Sequence, residues 1–469
     1  MVRNRKVFKK TVSIVNEKST DMYESLVGDK KGFLLESYDK NYDRYTFFGM
    51  EPEEIVTSRG NALVITKADG TEEVREGNPL ERLKEYYSEF HIEKEDEELS
   101  FSGGLVGNLG YDFVRYAEVL PDNNPDEIGI ETVQMMLMTK FIMVDHVAET
   151  LTGIILGEDT PEGRKKSLEE AEELIRQALA NKGRAPEKNF THDGVIVNQS
   201  DSLEQYSQKV EKIKEYIREG HIFQTVLSQR WTIETKQSGF ELYKELRELN
   251  PSPYLYYFNY GDFEVIGSSP EMIVKQQGNR VYTCPIAGTR KRGADAEEDA
   301  LLRDELLQDE KERAEHVMLV DLARNDMGRI SEFGTVKVTQ FMEVQNYSHV
   351  MHIVSMVEGR KKGEFHPLDL VSSFLPAGTL SGAPKIRAME IIDELESVRR
   401  GLYGGATGYI DFSGDMDFCI TIRTMIKKGK RVYLQAGAGI VADSIPENEY
   451  QECCNKVMAL AKTLMHYIH

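Results

Sequence analysis

The stretch 254-YLYYFNYGDFEVIGSSPEMIVKQQGNRVYTC-284 decides the fold. It contains four short runs rich in aromatic and β-branched residues, near Tyr254–Tyr260, Glu264–Ser268, Met272–Gln276 and Arg280–Cys284. The connections between them are tight, as at Asn259–Asp262. Strands joined so closely must run antiparallel, because a parallel neighbour needs a crossover of about a dozen residues or more. Working outward, the pattern repeats at Gly334–Phe341, Ala406–Phe412, Asp417–Lys427 and Arg431–Ala438, the last two joined by a turn at Gly429-Lys430. Towards the N-terminus, Gly32–Gly49 reads as a hairpin about a polar turn at Asp39–Asp43, and Asn61–Val74 as another about Asp69-Gly70. Thr132–His146 is a long buried β-rich run, with Leu151–Gly157 its expected neighbour.

Helical periodicity separates these strands. Helices are expected at Pro79–Phe90, Thr160–Asn181, Ser202–Gly220, Phe240–Leu249, Glu297–Asp326, Pro367–Phe374, Pro384–Leu395 and Pro446–His466. Ser202 and Gln205 form a capping box at the start of the third. Strands in hairpins with interspersed helices define the α+β class. Phe101–Asp112 is strand-like but carries Gly103, Gly104, Gly107 and Gly110, a density that points to close backbone approach. Glu93–Glu98 is an acidic loop. The polar segment Lys182–Asp193 is the expected linker, dividing the chain into 1–190 and 195–469.

The 469 residues carry a net charge of −21. That balance disfavours nucleic acid and anionic membranes as partners, and an anionic substrate then needs a local cationic pocket or a metal. Cys284, Cys419, Cys453 and Cys454 suit neither a disulfide framework nor a zinc site, which suggests a reducing cytoplasmic setting. No apolar run is long enough to span a bilayer, and MVRNRKVFKK lacks the apolar segment of a secretory leader.

Two acidic helix faces stand out. Glu312 and Glu315 lie three apart in KERAEHVMLVDLARND (311–326), whose Val317, Met318, Val320 and Leu322 should enter a core. Glu449 and Glu452 repeat the spacing near the C-terminus, and Lys456 follows. Together they suggest a shared hard divalent cation. Three glycine-bearing loops, PIAGTRKRG (285–293), GTLSGAPK (378–385) and AGAG (436–439), miss the nucleotide-binding spacings, yet their N–H groups suit carboxylates. Thr289 and Arg423 are expected to add side-chain hydrogen bonds there, Arg423 as a bidentate fork. Taken alone, His352 and Glu271 read as ordinary strand and surface residues.

The motifs IGSSPEM, PIAGTRKRG, AEHVMLVDLARND, VMHIVS, GTLSGAPK, GGATGYI, CITIRT, QAGAGIV and ENEYQECCNK, in that order, resemble the chorismate-utilising enzymes. The resemblance implies layered antiparallel sheets flanked by helices. It also implies Mg2+-dependent lyase chemistry, in which chorismate is aminated by ammonia to anthranilate and pyruvate, the first step of tryptophan biosynthesis. By the same resemblance, Glu315, Glu452 and Glu449 hold Mg2+, while Glu312, His352 and Glu271 serve catalysis near the leaving hydroxyl. Thr289, Gly288, Tyr409, Arg423 and the Ala436, Gly437, Ala438 and Gly439 backbone would bind the enolpyruvyl carboxylate, with Lys456 as an outer cation. Gln224 stands where water-adding members carry lysine, and Ala287 where aminodeoxychorismate synthases do. Both favour direct attack by ammonia.

Leu35, Glu36 and Ser37, with Asn250, Pro251, Ser252, Pro253 and Tyr254, resemble the segments that bind tryptophan as feedback inhibitor, with Glu36 on the ligand's ammonium. Residues 250–254 thus complete a regulatory site otherwise drawn from 1–190. The chain lacks the nucleophile pattern of a glutamine amidotransferase, so ammonia is expected from a separate glutaminase subunit. A different product, or a non-catalytic amino-acid sensor, stands as the alternative.

Overall fold

The computed structural model describes residues 3–15, 17–37, 44–93, 99–180, 192–347 and 350–465. The expected turn at Asp39–Asp43 lies outside them, as does nearly all of the acidic loop Glu93–Glu98 and of the linker Lys182–Asp193.

The described strands form two large sheets, one of thirteen strands and one of twelve, counting two side strands: Gly382–Ala383, paired with Gln224–Glu234 in the first, and Lys337–Asn346, paired with Val350–Arg360 in the second. The first runs, edge to edge, through Val195–Gln199, Gln224–Glu234, Arg431–Ile440, Thr424–Lys428, Glu264–Ser269, Tyr254–Asn259, Gly32–Glu36, Tyr45–Met50, Lys140–Asp145, Thr150–Gly157, Arg3–Ser13 and Phe90–Glu93. The second runs through Ile286–Lys291, Val350–Arg360, Arg280–Thr283, Met272–Gln277, Met416–Ile420, Ala406–Asp411, Gly104–Leu109, Val133–Met138, Glu54–Ser58, Ala62–Lys67 and Glu72–Glu76. Pairing is antiparallel throughout except between Arg3–Ser13 and Phe90–Glu93. Both sheets cross the expected domain boundary. Gly32–Glu36 pairs with Tyr254–Asn259 in the first, and Gly104–Leu109 with Ala406–Asp411 in the second.

Alternating side chains fill three apolar layers. One lies between the first sheet and helices Ser19–Leu26, Pro161–Ala178, Leu203–Arg218, Gly239–Leu249 and Pro446–Ala461. A middle layer, with Phe33, Phe47, Phe101, Met136, Met138, Phe141 and Phe258 all buried, joins the two sheets. The third packs the second sheet against Pro79–Tyr87, Glu310–Ile330 and Pro367–Phe374. The glycine-rich strand earns its composition: a Cβ at Gly107 would fall 2.1 Å from the Gln134 carbonyl oxygen. The capping box at Ser202 forms as expected.

Three expected elements divide. Glu297–Asp326 is two helices, Ala296–Gln308 and Glu310–Ile330, because Asp309 leaves helical geometry and its carboxylate accepts the N–H groups of Lys311 and Glu312 at 3.1 Å each. Of the four residues expected in the core, Val320 alone is buried; Met318 and Leu322 are half-buried and Val317 is 41% exposed, and the buried face is completed by His316, Leu319, Ala323, Asp326, Met327 and Ile330. Thr132–His146 breaks at Thr139 and contributes one strand to each sheet, the second pairing with Thr150–Gly157. Asp417–Lys427 breaks likewise, into Met416–Ile420 and Thr424–Lys428.

Candidate active site

Where a strand leaves one sheet for the other, its backbone turns and its side chains are freed from the pleat. Two such crossings lie side by side. The chain passes from Glu264–Ser269 to Met272–Gln277 through Pro270 and Glu271, and from Met416–Ile420 to Thr424–Lys428 through Thr421–Arg423. Backbone bonds lock them together: Ile420 N–H donates to Glu271 O at 3.0 Å and Ser268 N–H to Arg423 O at 3.1 Å. Arg423 adopts φ +49°, a left-handed conformation rare for a non-glycine residue and found where surrounding structure imposes it. Glu271 and Arg423 both reach into one cavity of about 240 Å³.

Burial drives the Glu271 carboxyl up to about 8, against hydrogen bonds from Thr379 and Ile286 and the charge of Arg423. Its oxygens lie 3.3 Å from Thr379 Oγ1. Glu271 is therefore a neutral acid at pH 7, able to donate a proton. His352, from the strand Val350–Arg360, lines the same cavity. Its Nδ1 sits 2.9 Å from Gly288 O and 3.0 Å from Thr289 Oγ1. Pairing to the carbonyl assigns the proton to Nδ1 and leaves Nε2 as the base. Burial holds this imidazole down to about 4, so it is neutral at pH 7.

Gly288, Thr289 and Ala287 enter from Ile286–Lys291, and Ala436, Gly437 and Gly439 from Arg431–Ile440. Gln224 opens the neighbouring strand; its side chain is buried, and Oε1 has no hydrogen-bond partner among the described residues. Two helices from opposite sides of the sheet pair meet at this cavity. Glu315 comes from Glu310–Ile330, and Glu452 and Lys456 from Pro446–Ala461. Lys456 Nζ lies 2.7 Å from Glu452 Oε1 and donates to Gly437 O at 2.8 Å. Glu315 is raised above the usual carboxylate range, first by burial and then by the charges of Glu312 and Glu452. Glu449 is raised by burial and by Glu452. Among the described residues no three His, Cys, Asp or Glu side chains converge closely enough to hold an ion by themselves.

Some expected residues fall elsewhere. Glu312 does not line the cavity; it lies 3.6 Å from Arg290 Nη1, beside Gly288. The Ala438 side chain points to the opposite face of its strand, into the helix-side core. Tyr409 lines a different cavity, its position on Ala406–Asp411 directing it between the sheets. The tyrosine at the candidate site is Tyr403, whose hydroxyl approaches so near that a Cβ on Gly437 would lie 3.1 Å from it. The signal was available: Tyr403 sits in the glycine turn of GLYGG, just before the strand, where a side chain is free of the sheet's alternation.

The second cavity, about 320 Å³, lies between the sheets and is lined by Leu35, Glu36, Ser37, Pro253, Tyr254 and Tyr409, among others. Asn250, Pro251 and Ser252 stand behind it. Asn250 Nδ2 donates to Ala459 O, and Ser252 Oγ meets Ser268 Oγ at 2.9 Å. The Glu36 carboxylate faces away from the cavity and is engaged by Ser19, by Tyr243 at 2.5 Å and by Arg247 at 2.9 Å. By contrast, Ser37 Oγ and Ser100 Oγ are buried at this cavity with no hydrogen-bond partner among the described residues. Pro270 and Ile286 line both cavities and form the wall between them.

A two-sheet sandwich with a charged cavity at paired sheet crossings defines a class. The profile of chorismate binding enzymes matches residues 32–462, and the chain belongs to that family. It is 46% identical over 442 residues to anthranilate synthase component 1 of Acetivibrio thermocellus, covering 92% of this chain and 90% of that protein. It is 43% identical to the same-named protein of Aquifex aeolicus, covering 92% and 88%. The crystal structure of anthranilate synthase component I from Streptococcus pneumoniae superposes with a TM-score of 0.77 at 40% identity, covering 89% of this chain and 92% of that one. Among the described residues no helix is long and apolar enough to cross a membrane.

Proposed function

We propose that the chain is the chorismate-aminating subunit of an anthranilate synthase, converting chorismate and ammonia to anthranilate and pyruvate. The carrying observation is that Gln224 and Ala287 face one cavity with Glu271, His352, Arg423, Glu315 and Glu452. Neither position holds an amine that would activate water or attack the ring covalently. The buried acceptor Gln224 Oε1 suits an N–H of ammonia, aligning it with the ring.

Chorismate carries two carboxylates. The ring-amination step forms a C2–N bond and breaks the C4–O bond. Glu271, as a neutral acid, gives its proton to the departing hydroxyl, which leaves as water. In the second step the C2 proton is lost and the C3–O bond breaks, restoring aromaticity; the enolpyruvyl group leaves as enolpyruvate, which takes up a proton to become pyruvate. His352 Nε2 is the base suited to that proton. Arg423, Thr289 and the N–H groups about Gly437 receive the enolpyruvyl carboxylate.

Two carboxylates on facing helices, Glu315 partly buried and raised first by that burial and then by the charges of Glu312 and Glu452, and Glu452 exposed beside Lys456, fit a divalent cation that keeps waters and takes substrate oxygens, so Glu315 and Glu452 would hold Mg2+, with Glu449 beside them. Such an ion supplies charge neutralisation and polarisation of the ring carboxylate. The reading also gives residues 1–190, with 250–254, the regulatory role. Tryptophan then fills the second cavity, its polar groups on Ser37 and Ser100 rather than on Glu36. Ammonia comes from a glutaminase subunit.

The test is incubation of the pure chain with chorismate, ammonium and Mg2+, followed by mass spectrometry and anthranilate fluorescence. Anthranilate plus pyruvate is expected. Isochorismate or an aminodeoxychorismate as sole product defeats the reading, as does binding of tryptophan with no turnover at all.

A further inference from the structure

Behind the candidate active cavity, and not lining it, lies a buried ion pair in the segment ESVRR (396–400). Arg400 is 3% exposed and Glu396 5%. The guanidinium makes a fork onto the carboxylate, Nε to Oε2 at 2.9 Å and Nη2 to Oε1 at 2.6 Å. Its remaining donors leave the pair: Nη1 donates to Leu380 O at 2.5 Å and Nη2 to Val226 O at 2.8 Å. The plane lies 4.6 Å from the Tyr111 ring centre and 5.7 Å from that of Tyr403. On the other side, Glu396 Oε1 accepts both the N–H of Ser228 at 2.8 Å and its hydroxyl at 2.7 Å, and Ser228 Oγ in turn accepts from Gln435 Nε2 at 2.8 Å.

The far ends of these bonds share one property. Val226, Leu380, Tyr403 and Gln435 all line the candidate active cavity, and they come from two strands and two loops distant in sequence. Packing alone would need only an apolar filler there, and a buried pair is weak evidence of stability for its own sake. What a guanidinium supplies and a filler does not is a rigid planar fork with donors at fixed angles.

We propose that Arg400, held by Glu396, is a positioning residue that sets the spacing of Val226, Leu380, Tyr403 and Gln435 around bound chorismate; this rests on the reading of the cavity given above. It acts through those walls and touches no reacting atom. Lysine at 400 keeps the buried charge and its partner but offers a point ammonium, which cannot span carboxylate and both carbonyls at once.

The experiment compares wild type, Arg400→Lys and Ser228→Ala, each checked for folding by circular dichroism and thermal melting. Steady-state kinetics with chorismate and ammonium varied separately are run beside calorimetric binding of chorismate with Mg2+. Arg400→Lys is expected to raise the chorismate KM and dissociation constant about tenfold or more, and the ammonium KM about twofold at most. Ser228→Ala, which loosens only the Glu396–Gln435 side, should raise the chorismate KM about threefold and serves if Arg400→Lys does not fold. A folded Arg400→Lys with a lowered melting temperature but wild-type KM, kcat and chorismate affinity overturns the proposal, as does an unfolded Arg400→Lys with kinetically silent Ser228→Ala. Wild type that binds chorismate without forming anthranilate defeats the functional reading alone, and the binding comparison still decides the role of Arg400. Wild type that does neither defeats both.

Discussion

The two cavities are built from opposite materials. One gathers Glu271, His352, Arg423, Glu315, Glu452 and Lys456 at the point where strands change sheets and two helices converge. The other sits between the sheets among aromatic rings, with Arg44, Lys275 and Asp417 at its lining, and the buried groups there without a partner among the described residues are hydroxyls. Charge in the first is tolerated because partners or repulsion await a ligand that completes them. The second offers an apolar body and few directional contacts, as a pocket for a neutral, largely aromatic molecule does. Burial shifts pKa values in both cavities, raising Tyr254 and Tyr409 well above the usual tyrosine range in the second, but the first sets a raised acid, Glu271, beside a neutral base, His352.

The largest expected break of this contrast is Glu315→Gln or Glu452→Gln. Either should lower kcat/KM by about a thousandfold, roughly 4 kcal/mol, while tryptophan binding measured calorimetrically stays unchanged. A variant retaining most of its activity removes the metal assignment.

Next is Glu271→Gln, expected to lower kcat about a hundredfold. In wild type the donor proton is lost as pH rises through about 8 in the free enzyme, so kcat/KM should fall above that point, and this limb should vanish in the variant. The sign for stability is the same. A carboxyl raised on folding contributes fully below its ordinary value of 4.5, and that contribution disappears as pH rises through about 8. Melting curves at pH 5 and 8 should therefore converge in Glu271→Gln.

Filling the second cavity acts on control alone. Ser37→Leu is expected to weaken inhibition by tryptophan about tenfold with kcat within about twofold of wild type. Loss of kcat instead would merge the two cavities functionally. The smallest effect sharpens the role of Glu36. Glu36→Gln should reduce stability by about 1–2 kcal/mol, read from denaturant unfolding, because the charged partner of Tyr243 and Arg247 is removed. Tryptophan affinity should hardly change. A large loss of affinity would return Glu36 to the ligand.

Much of this was legible in advance. Hairpin spacing between Tyr254 and Cys284 dictated antiparallel sheets, and Ser202 announced its helix. The carboxylates at Glu315 and Glu452, far apart in the chain, were legible from the repeated three-residue spacing on two helices as well as by motif, and they line one cavity. What failed did so for local reasons. Asp309 caps a helix without Gly or Pro to advertise the break. In Gly32–Glu36 the period of two puts Glu36 on the side of Leu34, facing the helices, and puts Leu35 on the other; that parity was in the sequence and outweighs likeness of motif. Tyr403 and Tyr409 lie six positions apart around the same glycines, and only the start of the strand at Ala406 decides which faces which cavity. Sheet switching at Thr139 and Thr421–Arg423 is invisible to periodicity, because both arms are equally buried.

The wall made by Pro270 and Ile286 has a consequence for control. A partition whose residues face both chambers passes a push directly from one to the other, so a guest swelling one chamber narrows its neighbour. Such antagonism is mutual by thermodynamic necessity. On the proposed reading of the second cavity as the tryptophan site, abundant substrate would make the protein less sensitive to its end product, with no separate sensor for the precursor.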